Sequence, residues 1–227
     1  MKRNIVIATV AAVALIGGGT ATAMAVTGDD ESTAAKQSSV QVKDDDGQDD
    51  ATENKTEVKV AKVTAADAIK AALAKQSGTA VSAELDDEDG GSLYWDVDLV
   101  GKDGSWHSVQ VDPGTGKVLG SHTERDEDGD AERVAAVLKG ASTTAEDAAK
   151  AAAAKGTVTS VDLDDDGAAT AWDAETVASG GVESDWHVDL RSAAVTPDRG
   201  DSADHDDSDD SDDSDDSAHD DRDGQDD

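Results

Sequence analysis

The segment LYWDVDL at residues 93–99 alternates apolar and polar side chains with the two-residue period of a β-strand. One face of the strand is apolar and the other is mostly acidic, through Leu93, Trp95, Val97 and Leu99 on the first and Tyr94, Asp96 and Asp98 on the second. A strand with this pattern buries one face against a second layer and leaves the other open. The segment therefore predicts a sheet that is packed on one side only.

A helix is predicted before this strand, beginning after Thr64. Thr64 precedes Asp67 by three positions, so its hydroxyl can cap the free amides of the first turn while the carboxylate bonds back. Apolar residues then recur at helical spacing, at Ala65, Ala68, Ile69, Ala72 and Leu73. Gly78 stands where a C-terminal cap is expected. The helix supplies an apolar stripe that can cover the sheet.

Further strands surround residues 93–99. One is expected at residues 81–85, where apolar side chains alternate, and another at residues 106–111. The turn at residues 112–116 contains Pro and two Gly, which favour the backbone angles of a tight turn, and it leads into the strand at residues 117–119. A helix followed by such a meander is an α+β unit.

A weaker copy of the pattern follows. Thr144 stands three positions before Asp147 at the start of an alanine-rich helix, and Trp172 corresponds to Trp95. We therefore predict the fold class α+β, with two small modules that are each a helix packed on a short antiparallel sheet. The first module spans residues 58–122 and the second, degenerate one residues 132–197, with the stretch around Arg125–Asp130 and a short helix at about Glu132–Lys139 between them.

The flanks of the two modules have the composition of disordered chain. Residues 26–57 form a predicted polar linker, and residues 198–227 a Ser/Asp-rich acidic tail whose like charges repel. Residues 1–25 combine Lys2 and Arg3, an apolar run and small residues at the end, which predicts a signal peptide. Left uncleaved, this segment would anchor the chain in a membrane. The modules are expected in the secreted fraction or at the exterior of the cell envelope.

Composition excludes several classes of function. The formal net charge of −34 argues against a nucleic-acid partner, since phosphate binding needs clustered Lys and Arg. The chain has no cysteine, so no disulfide stabilises the modules. Aromatic residues make up 2% and Phe is missing, so the core must rely on aliphatic residues and a few tryptophans. A large buried active site is therefore not expected.

The order of these elements resembles the PepSY domain, found in thermolysin-type propeptides and in many exported bacterial proteins. The most specific part is the turn VDPGTGKV at residues 111–118, whose signature residues are Asp112, Thr115, Gly116 and Lys117. The resemblance implies small non-catalytic domains outside the membrane that bind or restrain peptidases or act as sensory and folding modules. In the second copy Ser-Ala-Ala replaces Thr-Gly-Lys, which puts a shared binding role of the two copies in doubt.

One segment has the spacing of a calcium loop. Its alternating carboxylates, with Gly167 among them, are Asp162, Asp164, Asp166 and Asp173. Position twelve carries Asp in place of the longer Glu, and the approach to the loop reads as a strand. A solvated hairpin turn is the alternative interpretation. Calcium is thus the one candidate cofactor, and divalent cations could also gather on the acidic tail.

Two Trp-His pairs invite a catalytic or metal-binding interpretation, Trp106-His107 and Trp186-His187. Aligning the Val-Asp dipeptides places the pairs out of register, so both histidines are expected at the surface, without a partnering acid. No catalytic residue is predicted. The leading hypothesis is an extracytoplasmic protein that binds or inhibits a secreted or envelope peptidase. The alternative is an acidic envelope protein that binds divalent cations.

Overall fold

The computed structural model of the chain describes residues 36–42, 49–88, 91–125, 129–164 and 171–198. The helices in these ranges are α1 (Asp50–Val60), α2 (Ala65–Lys75), α3 (Asp130–Lys139) and α4 (Ala145–Ala152). The strands are β1 (Thr79–Ala80), β2 (Ser82–Glu88), β3 (Ser92–Val100), β4 (Ser105–Val111), β5 (Val118–Arg125), β6 (Thr157–Leu163), β7 (Ala171–Val177), β8 (Glu183–Asp189) and β9 (Val195–Pro197).

All of these strands belong to one antiparallel sheet in the order β5-β4-β3-β2-β6-β7-β8-β9, with β1 paired to β3. The sequence predicted a separate short sheet for each module, and the structure differs at β2. The outer edge of β2 pairs with β6 over three residue pairs, Ser82 with Asp162, Ala83 with Val161 and Glu84 with Ser160. We call this junction the seam. An unpaired edge strand exposes free backbone groups, and the seam removes two such edges.

Helices α2 and α4 cover the same face of the sheet and contact each other. Each helix buries mostly alanine, with Ala65, Ala68, Ile69 and Ala72 in α2 and Ala145, Ala148, Ala149 and Ala152 in α4. Short side chains let a helix approach the sheet closely, so the β-strand side chains fill most of the core. The core is continuous across the seam, since buried residues of both halves form one cluster.

Two buried tryptophans anchor the helix starts in the same way. The Trp95 indole N–H donates to the carbonyl of Val63 at 3.0 Å, and the Trp172 indole N–H donates to the carbonyl of Thr143 at 3.1 Å. Each acceptor directly precedes the N-cap threonine of its helix. A buried indole N–H needs a partner, and the chain entering the helix supplies it in both halves.

The predicted helix starts are confirmed, whereas the predicted end of α2 was wrong. Thr64 and Thr144 are the N-caps, and each hydroxyl accepts a hydrogen bond from the backbone N–H three positions on, at 3.2 Å. Helix α2 ends at Lys75 with Gln76 as its C-cap, so Gly78 lies beyond the cap. Leu73, which the apolar stripe included, is exposed because Ala72 takes the position against the sheet.

Part of the predicted linker at residues 26–57 has regular structure. Helix α1 begins within it, capped by the Asp49 side chain, with acidic residues in its first turn and Lys59 in its last. Upstream, Gln41 forms an isolated bridge with Ser92 and the Lys36 N–H donates to the carbonyl of Leu119. These elements bury no apolar helix face, so composition gave no sign of them; residues 1–35 and 199–227 lie outside the described residues.

The predicted short helix between the modules is confirmed as α3. It buries Ala131 and Val134 in a second small cluster with Val81 and Val100, which lie at one end of the central strands. Among the described helices, none is both long and apolar enough to span a membrane.

Gly78 and Gly156 lie where the backbone approaches the sheet too closely for a side chain. A Cβ atom on Gly78 would be 2.9 Å from the carbonyl oxygen of Val100, whereas one on Gly180 would meet nothing within 4 Å. We therefore expect Gly78→Ala to lower the free energy of unfolding by roughly 1–3 kcal/mol in urea denaturation, because strand β3 must shift. The matched control Gly180→Ala should change it by less than about 0.5 kcal/mol. Equal effects of the two substitutions would contradict this packing.

Candidate functional site

The signature turn at residues 112–117 is closed by the Asp112 carboxylate. Its Oδ1 accepts hydrogen bonds from the Gly114 N–H at 2.9 Å and the Thr115 N–H at 2.8 Å, and its Oδ2 accepts one from the Ser39 N–H at 2.7 Å. Burial acts to raise the pKa of Asp112, but these hydrogen bonds outweigh it and hold the pKa below its usual range. Asp112 thus organises the turn.

The remaining signature residues serve the same turn, Thr115 through its side chain as well as its backbone, and Gly116 and Lys117 through their backbones. Gly116 has φ of +72° and its N–H donates to the Asp112 carbonyl at 2.8 Å, while the Lys117 carbonyl accepts from the Asp112 N–H at 2.9 Å. A positive φ favours glycine. The Lys117 side chain is exposed. The structure therefore brings the four residues of the signature together in one turn.

The corresponding turn of the second half closes in the same way despite its different sequence. The Asp189 carboxylate accepts from the backbone N–H groups of Arg191 at 3.1 Å and Ser192 at 2.7 Å, and the Ser192 hydroxyl donates to it at 2.6 Å. Ala193 takes the place of the positive-φ glycine with φ of 55°. This equivalence is not visible in the sequence because the bonds use backbone donors, which most residue types can supply.

Both turns hold the segment that leads into the helix of their half. The carbonyl of Pro113 accepts from the N–H groups of Lys62 and Val63, at 2.8 and 2.9 Å. In the second half, the Leu190 carbonyl accepts from residues 142 and 143 at 2.8 and 2.9 Å. Each turn therefore fixes a helix start relative to the sheet.

The face of the sheet opposite α2 and α4 is lined with carboxylates. We call it the acidic face; its carboxylates on the central strands are Glu84, Asp96, Asp98, Asp162, Asp173 and Glu175. These residues alternate with the buried apolar side chains of the same strands, so they point to the opposite side. Strands β2, β3, β4, β6, β7 and β8 contain no Lys or Arg. Among the described strands, Arg125 at the end of the outer strand β5 is the one Lys or Arg.

Two carboxyls of the acidic face are desolvated beside the seam. Burial, reinforced by Asp96, raises the pKa of Asp98 to about 8, although a hydrogen bond with the Ser82 side chain acts the other way. Burial, reinforced by Glu84, raises the pKa of Asp162 to about 7. The Oδ1 atom of Asp98 is buried and has no hydrogen-bond partner. The sequence alone does not reveal this pair, because only the seam brings Asp162 near β3.

A third desolvated carboxyl lies where α1 meets the sheet. Burial raises the pKa of Glu57 to about 7, with further contributions from the carboxylates of Asp87, Glu53, Asp86 and Glu183. Ala51, near the start of the same helix, packs against Gly181 between β7 and β8. Helix α1 therefore lies beside both halves of the sheet, and the carboxylates of both halves surround Glu57.

The structure distributes the residues of the predicted calcium loop over a strand pair. Asp162 lies in β6 directly opposite Asp173 in β7, Asp164 follows the end of β6, and Asp166 lies outside the described residues. Within the described ranges, no three His, Asp or Glu side chains form a group that could hold a metal ion. The calcium loop remains a prediction.

The expectation that both histidines lie at the surface was wrong for His107. It is buried between the hydroxyls of Ser105 and Thr123, at 3.0 and 2.9 Å, and the Gln76 side-chain amide, at 3.2 Å. Burial lowers the pKa of His107. Ser105 and His107 lie on the same strand, but Thr123 lies on β5 and Gln76 at the end of α2, so sequence spacing could not reveal the full cluster. They join the end of α2 to β4 and β5.

The expectation that neither histidine has an acid nearby was also wrong, although no catalytic triad results. His187 is partly exposed and lies 3.4 Å from Asp173 and 3.6 Å from Asp198. Near His107, the Ser105 hydroxyl donates to Asp103 at 2.6 Å. A triad needs the acid on the second ring nitrogen of the histidine, and in His107 that nitrogen contacts Thr123. The cluster is therefore a polar packing contact.

The two signature turns allow a matched test of backbone strain. A non-glycine residue with left-handed φ is strained, so Ala193→Gly should raise the free energy of unfolding by about 0.5–1 kcal/mol. The reciprocal Gly116→Ala should lower it by about 1–2 kcal/mol. Urea denaturation of both variants shows whether the free energy of unfolding changes in these two opposite directions. A loss of stability in Ala193→Gly would show that the second turn is not strained.

Raised pKa values at the seam predict that stability falls with increasing pH. In the unfolded chain the carboxyls of Asp98 and Asp162 ionise near pH 3.8, whereas in the folded chain they ionise near pH 8 and pH 7. Above pH 3.8 the unfolded state therefore binds fewer protons than the folded state, and a rise in pH favours unfolding until these folded-state pKa values are passed. Asp98→Asn should therefore stabilise the protein at pH 8, on the order of 2 kcal/mol, and the gain should shrink toward pH 5. Urea denaturation from pH 5 to 8.5 measures it, with the exposed Glu132→Gln as control. A gain independent of pH would contradict the assignment.

Comparison with known proteins points to one domain of the chain. No curated protein and no solved structure matches it. A protein-family model described as the peptidase propeptide and YPEB domain matches residues 62–122. The matched segment contains α2, β1–β4, the signature turn and the first residues of β5. The resemblance of the first half is thereby confirmed: the chain contains a PepSY domain at residues 62–122.

Proposed function

We propose that this protein is an exported, non-catalytic module that binds a peptidase of the cell envelope or exterior and restrains its activity. The observation that carries the proposal is the PepSY domain at residues 62–122. PepSY domains are associated with peptidase propeptides and inhibitor-like roles, and are typically exported and generally non-catalytic. No catalytic family is indicated for this chain.

We extend the proposal to a second PepSY-like unit at residues 132–197. Its support is the recurrence of three contacts: the capping threonine, the indole-to-carbonyl hydrogen bond and the carboxylate-closed turn. These contacts determine how helix, sheet and turn are assembled in the first half. Export would rest on the predicted signal peptide at residues 1–25.

The outer strand of the PepSY domain, β5, is the surface we propose for the peptidase. It lies at the end of the sheet order, and in the described part of the chain its outer side receives one backbone hydrogen bond, from Lys36 to Leu119. A free strand edge can pair with an extended segment of a partner through main-chain hydrogen bonds. An inhibitor that adds its strand to a peptidase cleft uses this mode of binding.

Inhibition of extracellular proteolysis tests this function. The purified full chain should slow cleavage of a fluorogenic casein substrate by the extracellular peptidases of the producing organism, and a co-purified peptidase identifies the target. Proline is then introduced separately at Ser121 and His122 in β5. Neighbouring residues of a strand direct their N–H groups to opposite sides, so one variant removes a donor from the free edge and the other a donor to β4.

The two proline variants control each other. Urea denaturation shows which variant keeps the stability of the parent chain, and that variant should lose inhibition at least about tenfold, because a strand edge with proline cannot pair fully. If the stable variant inhibits as well as the parent chain, β5 is not the binding edge. If the full chain inhibits no extracellular peptidase, the proposed function fails.

A further inference from the structure

The seam places Ser82 between two desolvated carboxyls. Ser82 stands directly opposite Asp162 across the seam, and its side chain hydrogen-bonds to Asp98 on the other neighbouring strand. Both aspartates keep part of their surface exposed, while the Oδ1 atom of Asp98 is buried without a hydrogen-bond partner. A buried, unpartnered carboxylate oxygen is costly, so it marks a position where a donor is missing.

In the described part of the chain, no Lys or Arg is among the groups that act most strongly on this pair. The charged groups that act most strongly on them are carboxylates, Asp96 and Glu124 on Asp98, and Glu84, Asp173 and Glu175 on Asp162. The histidines on the acidic face, His122 and His187, lie 3.1 Å from Glu124 and 3.4 Å from Asp173. In α3, which packs at the end of these strands, Arg133 pairs with Asp130 at 2.7 Å. These basic groups, all within the described residues, are therefore engaged by acids other than Asp98 and Asp162.

We infer that the row Asp98–Ser82–Asp162 binds an arginine or lysine side chain from a basic segment of a partner protein. A metal ion fits less well, because no three potential ligands converge in the described part of the chain. Carboxylates spread across adjacent strands suit a guanidinium or ammonium group, whose several N–H donors can satisfy two acids and a hydroxyl at once. The inference rests on the proposed function in that the restrained peptidase would carry the basic segment.

Binding of a cation in this row is linked to protons. The free protein holds protons on these carboxyls around neutral pH, and a bound cation favours their ionised forms, so protons leave on binding. The affinity for an arginine peptide should therefore rise from pH 6 to pH 9, since the charge of arginine does not change in this range.

The experiment is calorimetric titration of the full chain with a hexa-arginine peptide at pH 7, in phosphate and in Tris buffer, whose different ionisation enthalpies report released protons. The Asp98→Asn/Asp162→Asn double variant should bind about tenfold more weakly and release fewer protons. Glu132→Gln, which removes one exposed charge elsewhere, should behave as the parent chain. Asparagine has the shape of the neutral acid, and circular dichroism confirms that the double variant is folded.

Binding within about twofold of the parent chain and unchanged proton release in the double variant would overturn the inference. The peptide would then be held by the other acidic segments, such as residues 201–227. The casein assay on the same variant separates the two proposals. If the double variant inhibits the peptidase as well as the parent chain does, this inference alone fails. If the parent chain binds the peptide through the row but inhibits no peptidase, the proposed function alone fails.

Discussion

The antiparallel pairing of β2 with β6 is the contact on which the rest of the structure depends. Each half has about 60 residues, a size at which a domain buries only about 60% of its unfolded surface. The chain has no cysteine to compensate. The seam joins the halves into one sheet, and α2 and α4 then share one apolar core above it. Three residue pairs thus turn two marginal units into one larger one.

The same junction concentrates negative charge. Every strand that alternates an apolar side chain with an acid adds its carboxylates to the face away from the helices, and the seam brings both sets together. Hydrophobic burial on one side is therefore accompanied by desolvated carboxyls on the other. Their pKa values rise because ionisation there is opposed by burial and by neighbouring acids. Carboxyls with strongly shifted pKa values mark candidate functional sites.

The PepSY signature has a structural explanation. Its aspartate closes a turn, its glycine takes a left-handed conformation, and the turn holds the start of the helix. The second half reaches the same geometry with other residues, because backbone N–H groups supply the donors. The signature therefore identifies the architecture of this turn.

Features encoded locally could be predicted from the sequence: the capped starts of α2 and α4, the alternation of β3, the tight turn after β4 and the short helix α3. Each depends on residues within a few positions of one another. The seam, the buried His107 and the unpartnered oxygen of Asp98 could not be predicted, because their partners are distant in the chain. Alternation shows that a strand has two faces, but only the tertiary structure decides which strands share an edge.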